Sequence, residues 1–265
     1  MEHQVIWANK WKEVRSVMNS EHNELAIDCF LLAGRIMMES GAETYRVEDT
    51  MLRMARSQNM MDAQSYVTPT GIIFSLGRTQ PTRITSISTR ITDLHRIVLV
   101  NNVSRKLTSQ IITLEQAYDE LKKIEKTNYF LPIILQVLAA SIASSSFLLM
   151  FKGMLSDIPA AFIAGGLGLY IVTIIHNVTR VKFFSEFLAA VGVGVVASIA
   201  VHFGFGTEVD KIIIGSVMPL VPGLLITNAV RDLMAGHFTS GMGKGAEAFL
   251  TAFAIGSGIA LVLSF

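Results

Sequence analysis

The sequence predicts an α-helical integral membrane protein with five transmembrane helices and a small N-terminal α+β domain. Of the 265 residues, 51% are hydrophobic and only 16% are charged, whereas an average soluble domain carries about 25% charged residues. Most charged side chains lie in residues 1–126, and very few lie in residues 131–265. The two regions are therefore expected to meet different solvents, so we predict a water-exposed domain over residues 1–126 and a membrane domain over residues 127–265.

Five segments of the membrane domain are long and apolar enough to cross a bilayer as a helix, which takes about 20 residues. The predicted spans are residues 131–151, 158–175, 183–203, 211–230 and 247–265. The connections between them are short, as in a compact helix bundle.

The basic residues of the connecting loops predict the orientation, because cytoplasmic loops carry more Lys and Arg. The second and fourth loops have two basic residues each, and the first and third have one each. The first 16 residues contain no apolar stretch typical of a cleaved signal peptide. We therefore expect the N-terminus in the cytoplasm and the C-terminus outside.

Small residues recur along the predicted spans, and in lipid they allow helices to approach closely. Bundle packing is the expected role of these glycines, and the lining of a polar pathway is the alternative. They are Gly165, Gly166, Gly168, Gly192, Gly194, Gly256 and Gly258.

The fourth predicted span contains the sequence MPLVPGLL, in which Pro219, Pro222 and Gly223 indicate a kink or a break. Each proline lacks a backbone N–H and clashes with the preceding turn. Carbonyl groups near residues 215 and 218 would then lose their helical partners and need others within the protein. A broken helix of this kind is typical of substrate sites in transporters.

Polar side chains follow this break, and we expect them to gather at the cytoplasmic mouth of the bundle. Asn228, Arg231 and Asp232 share one helix face because they are three and four residues apart. The predicted topology brings Glu186 and Glu247 to the same end. Ionisable residues within spans are costly and indicate function; the alternatives are placement at the interface or an ordinary ion pair of Arg231 with Asp232 or Glu247.

The N-terminal domain alternates helical and strand patterns. Helices are predicted over residues 21–39, from Thr44 as the capping residue to about residue 59, and over residues 92–108 and 113–126. The alternation around the turn at residues 68–71 predicts two short strands or one bent strand, and a further strand is expected over residues 82–89. Two polar motifs stand out. Glu43, Tyr45 and Arg46 lie at the helix–helix turn, for which a structural corner or a docking surface is the expected role. Thr68, Pro69, Thr70 and Gly71 form a polar bend.

Three stretches resemble the threonine/serine exporter family in the same order: ESGAETYRVEDTMLRMA, VTPTGIIFSL and IIIGSVMPLVPGLLITNAVRDLMAGHFTSGMGKGAEAFLTA. The resemblance covers nearly the whole chain after residue 20. It implies an exporter of small metabolites in the bacterial inner membrane. With five spans the chain resembles the split form, in which a second, smaller membrane protein supplies the rest; in bacteria that pair is similar to a succinate exporter.

The expected function is therefore a subunit of a proton-driven secondary exporter of threonine, serine or a C4-dicarboxylate. Pro219, Pro222 and Gly223 would form the substrate site, and Arg231 would attract a carboxylate with help from Asn228. The candidate proton carriers are Glu186, Asp232 and Glu247.

The sequence also limits the other functions that this chain can have. No nucleotide-binding loop, catalytic motif or metal-ligand spacing is found, so we expect no enzyme activity, no cofactor and no metal. The net charge of +1 gives no attraction to nucleic acid. A membrane-tethered hydrolase-like enzyme, and a channel or scaffold subunit, are the alternatives, and a homo-oligomer is the alternative to a second subunit.

Overall fold

The protein divides into two compact units, and each unit is formed by two separate segments of the chain. The computed structural model describes residues 2–77 and 81–265, with side chains from residue 21 onwards. The N-terminal unit comprises the chain up to Tyr129 together with Asn228–Lys244, which we call the tip segment. The membrane unit comprises Phe130–Thr227 and Gly245–Phe265.

The N-terminal unit contains the mixture of helices and strands that the sequence predicts. Its elements are α1 (Glu2–Glu39), α2 (Thr44–Ser57), β1 (Gln64–Thr68), β2 (Gly71–Ser75), β3 (Arg83–Ser86), α3 (Leu94–Thr108) and α4 (Leu114–Lys126). The strands form one antiparallel sheet in the order β1-β2-β3. The predicted third strand is shorter than expected, four residues instead of eight.

The sheet packs one face against the helices. Val67 pairs with Ile72 across the β1–β2 hairpin, and both side chains are buried together with Phe74. Phe74 meets Phe30 of α1 edge-on, with ring centroids 6.0 Å apart. Alternation of buried and exposed residues along β2 thus places one row of side chains in the core.

The turn between α1 and α2 differs from the sequence prediction at Thr44. Gly41 follows the end of α1 with a φ of 85°, a left-handed conformation that favours glycine. The N-cap of α2 is Glu43, whose side chain makes no capping hydrogen bond, and Thr44 is the first helical residue. The prediction of Thr44 as the cap is wrong because both its N–H and its hydroxyl have a partner in the tip segment, described below.

Helices α3 and α4 pack against each other, and α4 also packs against α1. The side chain of Asp93 caps α3 by accepting a hydrogen bond from the Arg96 N–H at 3.0 Å. A capping box starts α4, in which Thr113 and Gln116 each bond the other's backbone N–H.

The membrane unit is built from long apolar helices. They are α5 (Ile133–Met150), α6 (Ile158–Thr179), α7 (Lys182–His202), α8 (Val209–Val217), α9 (Gly223–Met234) and α10 (Phe238–Leu263), of which α9 and α10 begin or end in the tip segment. Among the residues that the structure describes, four stretches are long and apolar enough to span a membrane: Ile133–Met150, Leu155–Thr179, Lys182–His202 and Phe238–Leu263. The predicted count of five holds if the bent pair of α8 and α9 is taken as one span.

The break predicted in the fourth span is present. Helix α8 ends at Val217, a short 3₁₀ turn covers Met218–Leu220, and α9 starts at Gly223, with a bend of 58° between the two parts. Val221 is extended, with φ −62° and ψ 130°. The Met218 carbonyl, expected to lose its partner, accepts a hydrogen bond from the Val221 N–H at 3.2 Å.

Close packing explains most of the small residues in the spans, as expected. A Cβ at Gly165 would overlap the side chain of Ser144, and one at Gly258 would lie 2.6 Å from the Phe187 carbonyl oxygen. Gly256 differs, because apart from its chain neighbours and its own helix backbone no described atom lies within 4 Å of its Cβ position.

Two serines tie the bundle together beside these contacts. The Ser144 hydroxyl of α5 donates to the Ser216 carbonyl of α8 at 3.4 Å, and the Ser216 hydroxyl donates to the Ala161 carbonyl of α6 at 3.3 Å. These bonds satisfy polar groups that would be costly to leave unpaired in lipid.

Replacing Gly165 with alanine tests the close packing of α5 and α6. We expect Gly165→Ala to lower the free energy of unfolding by about 1–3 kcal/mol, because the added methyl group overpacks the helix contact. The matched control is Gly256→Ala, which adds the same group to open space. Thermal unfolding of both variants in detergent measures the difference, and equal melting temperatures would contradict the packing described here.

Candidate functional site

A buried ion pair joins the two ends of the tip segment. Lys244 Nζ lies 2.7 Å from Asp232 Oδ2, with Asp232 0% and Lys244 5% exposed. Lys244 also donates to the Ala42 carbonyl at 3.1 Å. Ion pairs are stable in a protein interior only when further hydrogen bonds satisfy both partners.

The same carboxylate serves the first turn of α2. Asp232 Oδ1 accepts the Thr44 backbone N–H at 2.9 Å, and Oδ2 accepts the Thr44 hydroxyl at 2.9 Å. The first N–H groups of a helix have no partner within the helix and favour a negative charge. The Asp232 carboxylate therefore caps the N-terminus of α2 in place of the Glu43 side chain, although Asp232 and Thr44 are 188 residues apart in the sequence.

A second group of charges lies on the neighbouring residues. Arg231 Nη1 is 2.6 Å from Glu43 Oε1, and Arg46 Nη1 is 3.0 Å from Glu43 Oε2. Burial raises the pKa of Glu43, but its backbone hydrogen bond and the two guanidinium groups outweigh burial and hold that pKa below its usual value. The side chain of Arg231 is still 55% exposed. Asn228 donates to the Gly41 carbonyl at 2.8 Å.

The residues of the polar bend form hydrogen bonds within the turn and with the chain that follows β3. The Thr68 hydroxyl donates to the Gly71 carbonyl at 3.0 Å and accepts the Gly71 N–H at 3.1 Å, while Pro69 and Thr70 offer their carbonyls to Arg90 and Ile87. Tyr45, on α2, is 39% exposed.

Glu48 connects the hairpin with the tip segment. Its Oε1 accepts the Val67 N–H at 2.9 Å, and its Oε2 lies 3.8 Å from His237 Nε2. Burial raises the pKa of Glu48, and the Val67 hydrogen bond and His237 offset only part of this effect.

The membrane unit holds a separate polar cluster between α7 and α10. Lys182 Nζ lies 2.8 Å from Glu247 Oε1. One turn further along the two helices are Glu186, 7% exposed, and Thr251, 1% exposed. Glu186 Oε2 and Thr251 Oγ1 are buried and make no hydrogen bond of ordinary geometry with any residue that the structure describes. Lys182 thus lies beside Glu247, and Glu186 lies one helical turn further along α7.

The structure places the five polar residues expected at one mouth in two different units. Asn228, Arg231 and Asp232 belong to the N-terminal unit, and Glu186 and Glu247 belong to the membrane unit. Pro219, Pro222 and Gly223, which the sequence predicts as substrate-site residues, lie at the break.

Sequence reasoning missed four partners in these clusters. The sequence analysis uses Lys182 and Lys244 only as basic residues of the loops that indicate orientation. It predicts Thr44 only as a helix cap and assigns no role to Thr251. The spacing of Lys182 and Glu186, and of Glu247 and Thr251, is four residues in each pair and was the only available signal. No sequence pattern connects Thr44 with Asp232.

These features define a class of protein. Several apolar helices, a broken helix and ionisable side chains within the spans are typical of multi-pass membrane transporters. A family model with the description "Putative threonine/serine exporter" matches residues 28–265. The chain belongs to this threonine/serine exporter family, which is a family of membrane transporters and not of enzymes.

The curated relatives are distant in sequence. A "Probable threonine/serine exporter" of Mycobacterium tuberculosis is 21% identical over 87% of this chain and 44% of its own length. The chain therefore spans less than half of that relative. Two proteins named "Probable succinate transporter subunit YjjP" are also 21% identical: that of Klebsiella aerogenes covers 91% of this chain and 92% of its own length, and that of Escherichia coli covers 93% and 97%. No solved structure matches the chain.

Removing the buried lysine tests the ion pair. We expect Lys244→Met to lower the free energy of unfolding by about 3–5 kcal/mol, because Asp232 would stay buried without a counter-charge. Lys106→Met is the control, since the Lys106–Glu120 pair is 45% and 35% exposed and exposed pairs contribute about 0–1 kcal/mol. Denaturant unfolding in detergent compares the two, and equal losses would argue against a strong buried pair.

The two glutamates of the N-terminal unit should change stability with pH in opposite directions. Glu43 has a lowered pKa, so its contribution is present above the unfolded value of about 4.3 and is lost as the pH falls through the native pKa. Glu48 has a raised pKa, so its contribution is complete below about pH 4.3 and is lost as the pH rises through the native pKa.

The melting temperatures of Glu43→Gln, Glu48→Gln and the parent protein between pH 4 and pH 8 measure this difference. The melting temperature of the parent protein minus that of Glu43→Gln should increase from pH 4 towards neutral pH. The melting temperature of the parent protein minus that of Glu48→Gln should decrease over the same range. Parallel curves for the two variants would show that the two carboxyl groups have the same environment.

Proposed function

We propose that this chain is a subunit of a secondary transporter that exports small carboxylate-bearing metabolites across the bacterial cell membrane. Threonine, serine and a succinate-type dicarboxylate are the proposed substrates, since the names of the relatives refer to them. The N-terminal unit would lie in the cytoplasm and the C-terminus outside, as the loop charges predict. Export is proposed to be coupled to protons.

The break between α8 and α9 carries this proposal. Pro219 and Pro222 interrupt the helical hydrogen bonds, Val221 is extended, and Gly223 starts a 12-residue helix. Apart from its chain neighbours and its own helix backbone, no described atom lies within 4 Å of the Gly223 Cβ position. The first N–H groups of a helix attract anions. The Gly223 N–H donates to the Val221 carbonyl at 2.8 Å, so a substrate carboxylate would bind at the N–H groups that follow it.

Arg231 is proposed to act at a different place from the break. It lies eight residues beyond Gly223 on α9, which is about 12 Å along a helix, longer than a threonine molecule. Its partly exposed guanidinium group, paired on one side with Glu43, would attract the carboxylate before the substrate reaches the break. Asn228 would hold the turn at Gly41 in place for this step.

Glu186 is the most suitable of the three proposed proton carriers. Asp232 accepts two hydrogen bonds from Thr44 and pairs with Lys244, and Glu247 pairs with Lys182. Each of these two carboxylates therefore already has a cation beside it. The buried Glu186 oxygen makes no hydrogen bond of ordinary geometry with any residue that the structure describes, and adding a proton would remove a negative charge from the apolar surroundings.

A second membrane subunit is proposed to complete the transporter. The chain corresponds to 44% of the mycobacterial relative but to more than nine tenths of the two relatives named as subunits. A smaller membrane protein would supply the remaining part. A homo-oligomer is the alternative arrangement.

Proteoliposomes test the function and the number of components together. Labelled threonine, serine and succinate are offered to vesicles that contain this chain alone, its proposed partner alone, or both, with and without a proton gradient. Transport only with both components supports the proposal and identifies the substrate. Equal transport by the chain alone would contradict the two-subunit arrangement.

Glu186→Gln tests the coupling site in the same vesicles. We expect the variant to lose at least tenfold of the acceleration caused by a proton gradient, while exchange without a gradient continues, because glutamine cannot take up a proton. Glu208→Gln is the control, since Glu208 pairs with Lys211 outside this cluster. Full gradient-driven transport by Glu186→Gln would exclude Glu186 as the carrier.

A further inference from the structure

A cleft of about 490 Å³ lies between α3 and α4 in the N-terminal unit, and none of the proposed transport steps uses it. Val103 and Ile124 are among the apolar residues that line it, and its polar lining includes Arg105, Lys123 and Tyr129. Pockets of this size with an apolar floor and a few polar groups are typical of small-molecule sites.

The charges of the cleft leave two cations without a counter-charge. Lys106 is neutralised by Glu120, whose two carboxylate oxygens lie 3.1 and 3.0 Å from its ammonium nitrogen. Arg105 and Lys123 are exposed, and neither forms an ion pair with any residue that the structure describes. A guanidinium and an ammonium group facing one cleft are suited to an anion with several oxygen atoms, above all a phosphate group.

Along the chain, the last residue that lines this cleft is close to the first spanning helix. Tyr129 lines the cleft and precedes Ile133, the first residue of the first spanning helix, by four residues. Four residues extend over at most about 14 Å. Tyrosine is enriched at the membrane–water interface, and basic clusters next to a spanning helix attract anionic lipid headgroups.

We propose that this cleft binds a phosphate group through Arg105 and Lys123, and that the phosphate belongs to the headgroup of an anionic phospholipid. The apolar side chains of the lining accept the first methylene groups of the acyl chains, and Ser109 and Asn102 add hydrogen-bonding groups. The site does not depend on the substrate or on the coupling ion of the transporter.

Calorimetric titration of the full chain in a neutral detergent tests the site. The probes are dihexanoylphosphatidylglycerol, dihexanoylphosphatidylcholine and inorganic phosphate. We expect phosphatidylglycerol to bind at least tenfold more tightly than either of the others. The double variant Arg105→Gln/Lys123→Gln should weaken its binding about 30-fold, since each basic group near an anionic lipid contributes about a factor of five.

The matched control is Lys122→Gln, which removes the same charge from the neighbouring position. Lys122 lies over the Tyr118 ring, 4.1 Å from its centroid, and does not line the cleft. The binding constant of Lys122→Gln for dihexanoylphosphatidylglycerol should stay within about twofold of the parent value, because exposed charges outside the cleft are screened by salt. If the double variant does not fold, the single variants replace it, each with an expected loss of about fivefold.

Three results would overturn the proposal. Equal affinity for phosphatidylglycerol and phosphatidylcholine would show that the negative charge is not recognised. An equal loss in Lys122→Gln would show that binding depends on the general surface charge. Inorganic phosphate that binds as tightly as phosphatidylglycerol would assign the cleft to a dissolved phosphate compound and not to a lipid.

Discussion

The burial of Asp232 and Lys244 is the constraint on which the organisation of the chain depends. Neither charge is stable in the interior alone, and the pair is tolerated because Thr44 and Ala42 supply additional hydrogen bonds. Those partners belong to the turn between α1 and α2. The tip segment can therefore satisfy its own charges only as part of the N-terminal unit, although the chain on both sides of it belongs to the membrane unit.

The polar residues of the fourth predicted span, Asn228, Arg231 and Asp232, all lie on helix α9. Helix α9 starts at the break and ends in the tip segment, so its 12 residues carry both Gly223 and Arg231. The cluster of Lys182, Glu186, Glu247 and Thr251 lies instead on α7 and α10. Anion attraction and proton uptake are thus assigned to different helices in the proposed transporter, and α10 carries both Lys244 and Glu247.

Local features could be predicted from the sequence because they depend on neighbouring residues. Hydropathy predicted several long apolar helices, alternation predicted strand structure around residues 68–71, and two prolines predicted the break. The start of α10 was placed nine residues too late, since the polar and glycine-rich sequence from Phe238 to Ala246 is not apolar. Periodicity contains no information on contacts between distant residues, so the capping of α2 by Asp232 could not be found. The same limit applies to Thr251, whose importance depends on which face of α10 meets Glu186.

Hydrogen–deuterium exchange at the start of α2 tests the role of the buried pair most directly. The variant Asp232→Leu/Lys244→Met replaces both charges with apolar side chains, which avoids leaving one charge unpaired. We expect faster exchange of the Thr44–Val47 amides than in the parent protein, because the carboxylate acceptor is gone. The amides at the start of α4, with its own capping box, should be unchanged. Unaltered exchange at Thr44–Val47 would contradict the claim that this pair holds the tip segment in the N-terminal unit.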